Sequence, residues 1–445
     1  MNTTTPVPHH RTSTTPSAVV PVDRDLLVPA VVHLGVGGLR NAHHTLLLHE
    51  VARTRTSTDW GLVHVELRLP QDRTVLDLDE VGGHGVHLPG PSRTAREIDV
   101  LLDLVTSAED SEAVVETLAA PTTKLVTLQA GDGEPPCEAL PLPQDQTSPG
   151  AALAHGYLVR ALARRRVAGL PPFTVLSCDP LPRNGCLTRR HVLDLAGAVD
   201  PDLAVWIAEE GRFPGSLVDD LLPGTGDLPF QWFVEDDFGD GRPPVDRVGA
   251  RLVPSTAPYE QLRMRLFHGA RCALAVLARS TGATTSDQAL TDPRLVAFLG
   301  GFLTEAAATL LHVPGVDLAR YRARVLDRLA DPRTGEPLRP SQDRGAEALS
   351  AFVLPSLRTA LDHRTPRRHL VLAVAAWCRS LGGPGSAAEL LAERRAVFGT
   401  LADHCHLADE LQEALDLLAA GALDPVRTTP TVPTPTAPLT QEVHP

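Results

Sequence analysis

The stretch Val31-Val32-His33-Leu34-Gly35-Val36-Gly37-Gly38-Leu39-Arg40-Asn41-Ala42-His43 runs from a buried apolar segment through a glycine turn into a helical pattern. Ala30 to Leu34 reads as a strand and Asn41 to Thr54 as the helix that follows it. The same alternation recurs downstream. Leu62 to Leu67, Leu125 to Leu128 and Phe173 to Ser177 read as strands, and Val114 to Leu118 and Gly150 to Ala168 lie in helical patterns. Strands alternating with helices predict a mostly parallel, doubly wound α/β sheet. Beyond about Leu228 the rhythm changes. Ala/Leu/Arg-rich stretches at 259–280, 290–312, 346–361, 366–381, 386–400 and 407–420 repeat their apolar residues at intervals of three and four. A predominantly helical second domain is expected there.

The turn at Gly35-Val36-Gly37, with Gly38 beside it, lies where a strand C-terminus meets a helix N-terminus. Parallel α/β sheets bind ligands at such places. Glycines let the backbone approach a pyrophosphate, and the helix N-terminus offers free N–H groups and a partial positive charge. Arg40 stands where the Gly-x-Gly-x-x-Gly spacing has its third glycine, so the turn alone suits a nucleotide site or a tight connection equally. An acid at the end of the second strand commonly holds the adenosine ribose. Glu66 and Asp72 are the candidates, and a solvated loop charge is the plain alternative.

The chain has 445 residues, long for one core, so two domains are expected. The expected division is a disordered Thr/Ser/Pro/His tail at 1–28, an α/β domain at 29–227, a mainly helical domain at 228–423 and a Thr/Pro tail at 424–445. Forty-one Lys and Arg against fifty-four Asp and Glu leave a net charge of −13, which excludes a general nucleic-acid-binding role. The six cysteines (Cys137, Cys178, Cys186, Cys272, Cys378, Cys405) form no Cys-x-x-Cys pair and suit a reducing cytoplasm. His404, Cys405 and His406 are consecutive and so point to different sides of an element, which argues against a metal site. No signal-like apolar core is present, and no run approaches the ~20 apolar residues of a membrane span. A cytoplasmic protein without membrane or nucleic-acid partners is expected.

Several segments, in order, resemble the signatures of the long-chain polyol dehydrogenases, the family of mannitol 2-dehydrogenase and fructuronate reductase. They are the opening strand and glycine turn, Phe173 to Pro180 with Asn184-Gly185, Phe213 to Asp219 with Pro223, Gln231 to Asp236 with Gly241-Arg242-Pro243, and Ala373 to Trp377. Pro258 to Arg271 resembles the family's active-site helix, and the whole likeness spans roughly residues 29 to 425. The resemblance implies a Rossmann-like N-terminal domain, a mainly α-helical C-terminal domain and NAD or NADP as cofactor. It implies alcohol–ketone interconversion of a small polyol or sugar acid by hydride transfer. It also places the ribose acid at Asp72. Asp179 and Asn184 lie just past a strand end, where functional residues gather, and Asp179 is a cofactor-side candidate. Turn formation explains both residues equally.

The family's helix carries Lys, Asn five residues later and His three after that. Here those positions read Arg263, His268 and Arg271. Pro180 stands in place of a second Asn, Asp219 matches an acidic position near the substrate, and Asp220 follows where Arg is typical. Gly131 to Pro135 replaces the family's Thr-Glu-x-Gly-Tyr. Regular helical geometry spreads 263, 268 and 271 over about 140°, enough to line one cleft, with Leu262, Leu266, Ala270 and Leu277 as the apolar stripe behind them. A guanidinium cannot replace Lys as a base, and Pro180 removes an oxyanion donor. Two readings follow. His268 serves as the acid/base, with Arg263 and Arg271 clamping an anionic sugar derivative. Alternatively the site is catalytically silent and the protein binds a nucleotide, a metabolite or a regulatory partner. Asp219 would orient Arg263 or a substrate hydroxyl, or cap a helix.

Overall fold

A computed structural model describes residues 22–36, 43–54, 56–67, 85–87, 95–108, 110–129, 149–224, 228–381 and 386–421. Gly37, Gly38, Asp72 and most of both expected tails lie outside these residues.

The N-terminal half runs β1 (Pro29–Val36), α1 (His43–Arg53), β2 (Gly61–Leu67), β3 (Gly85–His87), β4 (Ala95–Glu97), β5 (Leu101–Thr106), α2 (Ser111–Ala119), β6 (Leu125–Gln129), α3 (Pro149–Val167), β7 (Thr174–Ser177), α4 (Asn184–Val199) and α5 (Pro201–Glu210). Five strands form one parallel sheet in the order β5-β2-β1-β6-β7. The first strand is central and the chain winds outward on both sides, so the strand order reverses between β1 and β6. That is the doubly wound arrangement with its switch-point crevice. The sheet is buried on both faces. Val32, Leu34, Val63, Val65, Val126 and Leu128 pack on the α2–α3 side, while Val31, Leu62, Leu125 and Leu176 pack against Leu46, Leu47 and Val51 of α1. Continuous apolar strands are what burial on both faces requires.

A three-stranded sheet, β10-β9-β8, follows from β8 (Ser216–Asp219), β9 (Gln231–Glu235) and β10 (Arg251–Val253). The division expected at 227/228 falls between β8 and β9, which pair antiparallel. The helical half then begins with α6 (Ala257–Leu262), a π-helical segment at Arg263–His268, and α7 (Gly269–Leu277). It continues through α8 (Ser286–Ala289), α9 (Pro293–Ala307), α10 (Leu318–Ala330), α11 (Arg339–Asp343), α12 (Gly345–Ala348), a second π-helical segment at Leu349–Val353, α13 (Leu354–Asp362), α14 (Arg368–Ser380), α15 (Ala387–Glu393), α16 (Arg395–Phe398) and α17 (Cys405–Ala419). One core joins these helices, with α7 and α14 buried all round at its centre.

The sequence patterns missed α10. It is rich in arginine, yet Asp317 caps it by accepting from the amides of Ala319 at 2.9 Å and Arg320 at 3.1 Å. Tyr321, Val325 and Leu329 recur every fourth residue as its buried stripe. Helix α10 proves central to the site.

Candidate active site

Asp219 closes β8 and is 0% exposed. Three donors converge on its carboxylate. Oδ1 accepts from the Leu221 amide at 2.9 Å and from Nη1 of Arg263 at 2.9 Å. Oδ2 accepts from the Tyr321 hydroxyl at 2.9 Å. The same Nη1 donates to Oδ1 of Asp220 at 2.8 Å. Asp220 Oδ2 lies 3.5 Å from Nη2 of Arg328, which also donates to Oε1 of Glu336 at 3.1 Å. Glu336 Oε2 in turn lies 3.6 Å from Nη1 of Arg271. Three guanidinium groups thus alternate with three carboxylates, and their formal charges cancel.

This string settles the local electrostatics. Burial disfavours the charge on Arg263, but Asp220 and Asp219 outweigh it and hold the guanidinium protonated beyond its ordinary range. Burial also opposes ionisation of Asp220, yet Arg263 and Arg328 bring its carboxyl down to about 2. Burial pushes Asp219 the other way, against the pull of Arg263. The three hydrogen bonds it accepts are those of a carboxylate anion. Burial and then Asp219 raise the Tyr321 phenol well above its usual value, so it remains a donor.

His268 closes the first π-helical segment. An i→i+5 turn sets Arg263 and His268 one turn apart, closer to one line than a regular helix would. The imidazole is buried, lies flat against Phe352 of the second π-helical segment with ring centres 5.1 Å apart, and meets Phe267 edge-on at 5.2 Å. Its Nδ1 finds no hydrogen-bond partner among the described residues. Burial, then the positive charges of Arg263 and Arg271, hold its pKa well below 6.5. His268 is therefore neutral at physiological pH and a weak base. The expected anion clamp meets a competitor inside the fold. Arg263 is engaged by two carboxylates, and Arg271, 1% exposed, faces Glu336.

Asn184 is held by the backbone. Its Nδ2 donates to the carbonyls of Asp179 at 2.9 Å and Ser216 at 2.8 Å, and its Oδ1 accepts from the amides of Gly185 and Ser216. Asp179 is buried just past β7. Glu260, one turn before Arg263, accepts from the Thr256 hydroxyl at 2.9 Å and the Arg183 amide at 3.1 Å, tying α6 to the start of α4. His43, at the start of α1, packs edge-on to Phe230 at 5.0 Å. Burial lowers its pKa to about 4, against the attraction of Asp220. The residues that sequence reading missed are Tyr321, Arg328, Glu336, Phe352 and His43. The fourfold stripe of α10 was the one available signal for the first two.

At the sheet's C-terminal edge, Gly35 on β1 stands opposite Glu66 on β2 and Gln129 on β6. Glu66 is buried near the end of β2, and Asp72, the ribose acid expected from the resemblance, lies outside the described residues. Among the described residues, no group of three His, Cys, Asp or Glu side chains could hold a metal ion, and no helix is long and apolar enough to cross a membrane.

The family model for the mannitol dehydrogenase Rossmann domain matches residues 29–244, and that for the mannitol dehydrogenase C-terminal domain matches residues 255–418. Mannitol 2-dehydrogenase of Cereibacter sphaeroides is 30% identical over 392 residues, covering 80% of this chain and 82% of the relative. D-mannonate oxidoreductase of Escherichia coli (strain K12) is 30% identical over 443 residues, covering 89% of each. Among solved structures, D-sorbitol dehydrogenase in substrate-free form is similar with a TM-score of 0.73 at 23% identity, covering 91% of this chain and 96% of the other. Pseudomonas fluorescens mannitol 2-dehydrogenase, in a ternary complex with NAD and D-mannitol, is similar with a TM-score of 0.67 at 24% identity, covering 89% and 93%. With both domain models spanning nearly all of its described fold, the chain belongs to the mannitol dehydrogenase family.

Proposed function

We propose that this protein binds a nicotinamide dinucleotide at the β1–β6 switch point and a small polyol or sugar acid beside Arg263, without oxidising that ligand by lysine-type proton transfer. The observation that carries this reading is the double hydrogen bond of Arg263 to Asp219 and Asp220. A proton acceptor has become a permanently charged, internally neutralised group.

The sheet edge fits a dinucleotide. Gly35, next to last in β1, brings no side chain to the row beside Glu66, Glu66 stands where a ribose diol would be held, and α1 begins beyond the turn. The bound nicotinamide would supply the hydride acceptor. What this chain lacks is the matching base. Arg263 stays charged, Tyr321 stays a phenol, and protonated His268 is destabilised by burial and by Arg263 and Arg271. Loss of a general base commonly lowers a rate by about 100- to 10,000-fold. Loss of one oxyanion donor, here at Pro180, lowers it by about 100- to 1,000-fold. A metabolite-binding or regulatory role follows.

The test is a titration of the full chain with NADH and NADPH, followed by energy transfer from its tryptophans. Turnover is then assayed with mannitol, sorbitol and mannonate. Saturable nucleotide binding without turnover is expected. Arg263→Lys alone should stay inactive, because Asp219 and Asp220 would hold the lysine charged as well. Turnover near that of an active relative, lost in His268→Ala, would instead establish His268 as the acid/base. Absence of nucleotide binding would end the nucleotide reading.

A further inference from the structure

One layer on the α1-facing side of the central sheet is built of imidazoles and a hydroxyl. His64 on β2, His33 on β1 and Thr127 on β6 stand in register across three neighbouring strands. His44, in the first turn of α1, closes the layer from above. His33 Nδ1 and His44 Nε2 both lie 3.0 Å from the Thr127 hydroxyl. The His33 ring centre is 4.6 Å from that of His44 and 5.3 Å from that of His64. All three imidazoles are buried. His33 Nε2 and both nitrogens of His64 find no hydrogen-bond partner among the described residues.

This layer lies directly beneath the row formed by Glu66, Gly35 and Gln129, where the strands end. A Cβ on Gly35 would come within 2.8 Å of His33 Nε2, so the imidazole fills the space under the last turnward residue of β1. Thr127 makes the layer sensitive to proton count. One hydroxyl can donate to one imidazole nitrogen and accept from another. That satisfies a pair of neutral rings. An added proton leaves the hydroxyl facing two N–H donors, with its own hydrogen unplaced.

We propose that the His33–His44–His64–Thr127 layer positions the nucleotide-facing edge of the sheet and, on taking up a proton, loosens β1, α1 and β2 together. The nucleotide part of this inference rests on the reading given under Proposed function. The surrounding charges do little to offset an added proton. On α1, His43 adjoins His44, His49 accepts from the Asp99 amide, and Glu50 is paired with Arg53. On β2, Glu66 lies one layer nearer the strand ends. Beside β6, Lys124 pairs with Asp240 at 3.8 Å, at the far end of the strand. From β5 comes Leu104, opposite His64, and from β9 comes Trp232, whose ring lies 6.3 Å from that of His44. On the far face, α3 carries His155, which pairs with His191. Burial holds His33, His44 and His64 in their neutral forms, and neighbouring imidazoles add to it for His33 and His44.

The experiment uses the full chain. Amide hydrogen exchange, corrected for the intrinsic pH dependence, is followed for 29–36, 43–53 and 61–67 at pH 7.5 and 5.5 without ligand. NADH affinity is measured at the same two pH values. In the wild type, protection of these three segments should fall at least tenfold at pH 5.5, because the opened segments take up protons that the closed layer refuses, while the helical half stays protected and NADH affinity also falls. His44→Gln and His64→Leu, made singly and together, should make both profiles shallower. Equal loss of protection in the variants, or no loss in the wild type, would overturn the proposal. If exchange follows the expected pattern while NADH binds at neither pH, the layer's proton sensitivity stands and the nucleotide reading falls. Should the double variant not fold, the single His44→Gln change decides, because it keeps a hydrogen-bonding side chain and removes the titrating ring.

Discussion

At the scale of single residues, the centre is set by which charge each carboxylate meets. Replacing Arg263 by Met would leave Asp219 and Asp220 adjacent, with Arg328 beside Asp220 the remaining ion-pair partner among the described residues. Breaking a buried pair by removing one partner costs about 3–5 kcal/mol. The urea midpoint of Arg263→Met should drop accordingly, and the further change Asp219→Asn should recover part of the loss. An undiminished midpoint would mean that the string contributes nothing to stability. Sequence reading singled out Arg263, His268, Arg271 and Asp219 as candidates because they stand in a recognisable motif frame. It could not assign their partners. Asp219 meets a tyrosine 102 positions away, and sequence spacing carries no trace of a contact that long.

At the scale of elements, two π-helical turns face each other through His268 and Phe352. Such turns have no sequence signature. Arg263 and His268, at the ends of the first, keep helical backbone angles, and a π turn differs from an α turn in which carbonyl each amide reaches. The arc drawn for a regular helix therefore described the positions of Arg263 and His268 only approximately. Helix α10 was missed because its arginines hid a sound fourfold stripe, whereas the strands and the apolar helices were legible from period alone. Phe352→Ala tests the pairing of the two turns. Truncating a buried Phe costs about 3–5 kcal/mol, and water admitted beside His268 should raise its pKa toward the ordinary 6.5. Proton NMR of the imidazole would follow that shift, and an unmoved titration would show that Phe352 does not keep His268 dry.

At the scale of the whole molecule, buried histidines set the acid limit of the fold. Burial lowers His44 to about 3 and His43, His64 and His155 to about 4. Between pH 6.5 and about 4 the unfolded chain therefore binds protons that the folded chain refuses. Stability is complete above pH 6.5 and falls as the pH drops through that window, by up to about 1.4 kcal/mol per pH unit for each group. The melting temperature should decline steeply from pH 7 to pH 5, and a flat profile would show these rings to be solvated. The alternating string of Arg263, Asp220, Arg328, Glu336 and Arg271 has a different consequence. A lone charge-removing substitution within it strands a charge in the interior, whereas Arg263→Lys keeps the charge balance and leaves the lysine held by the same two carboxylates. Within it, the charge at position 263 changes without cost only when that of its carboxylate partners changes with it.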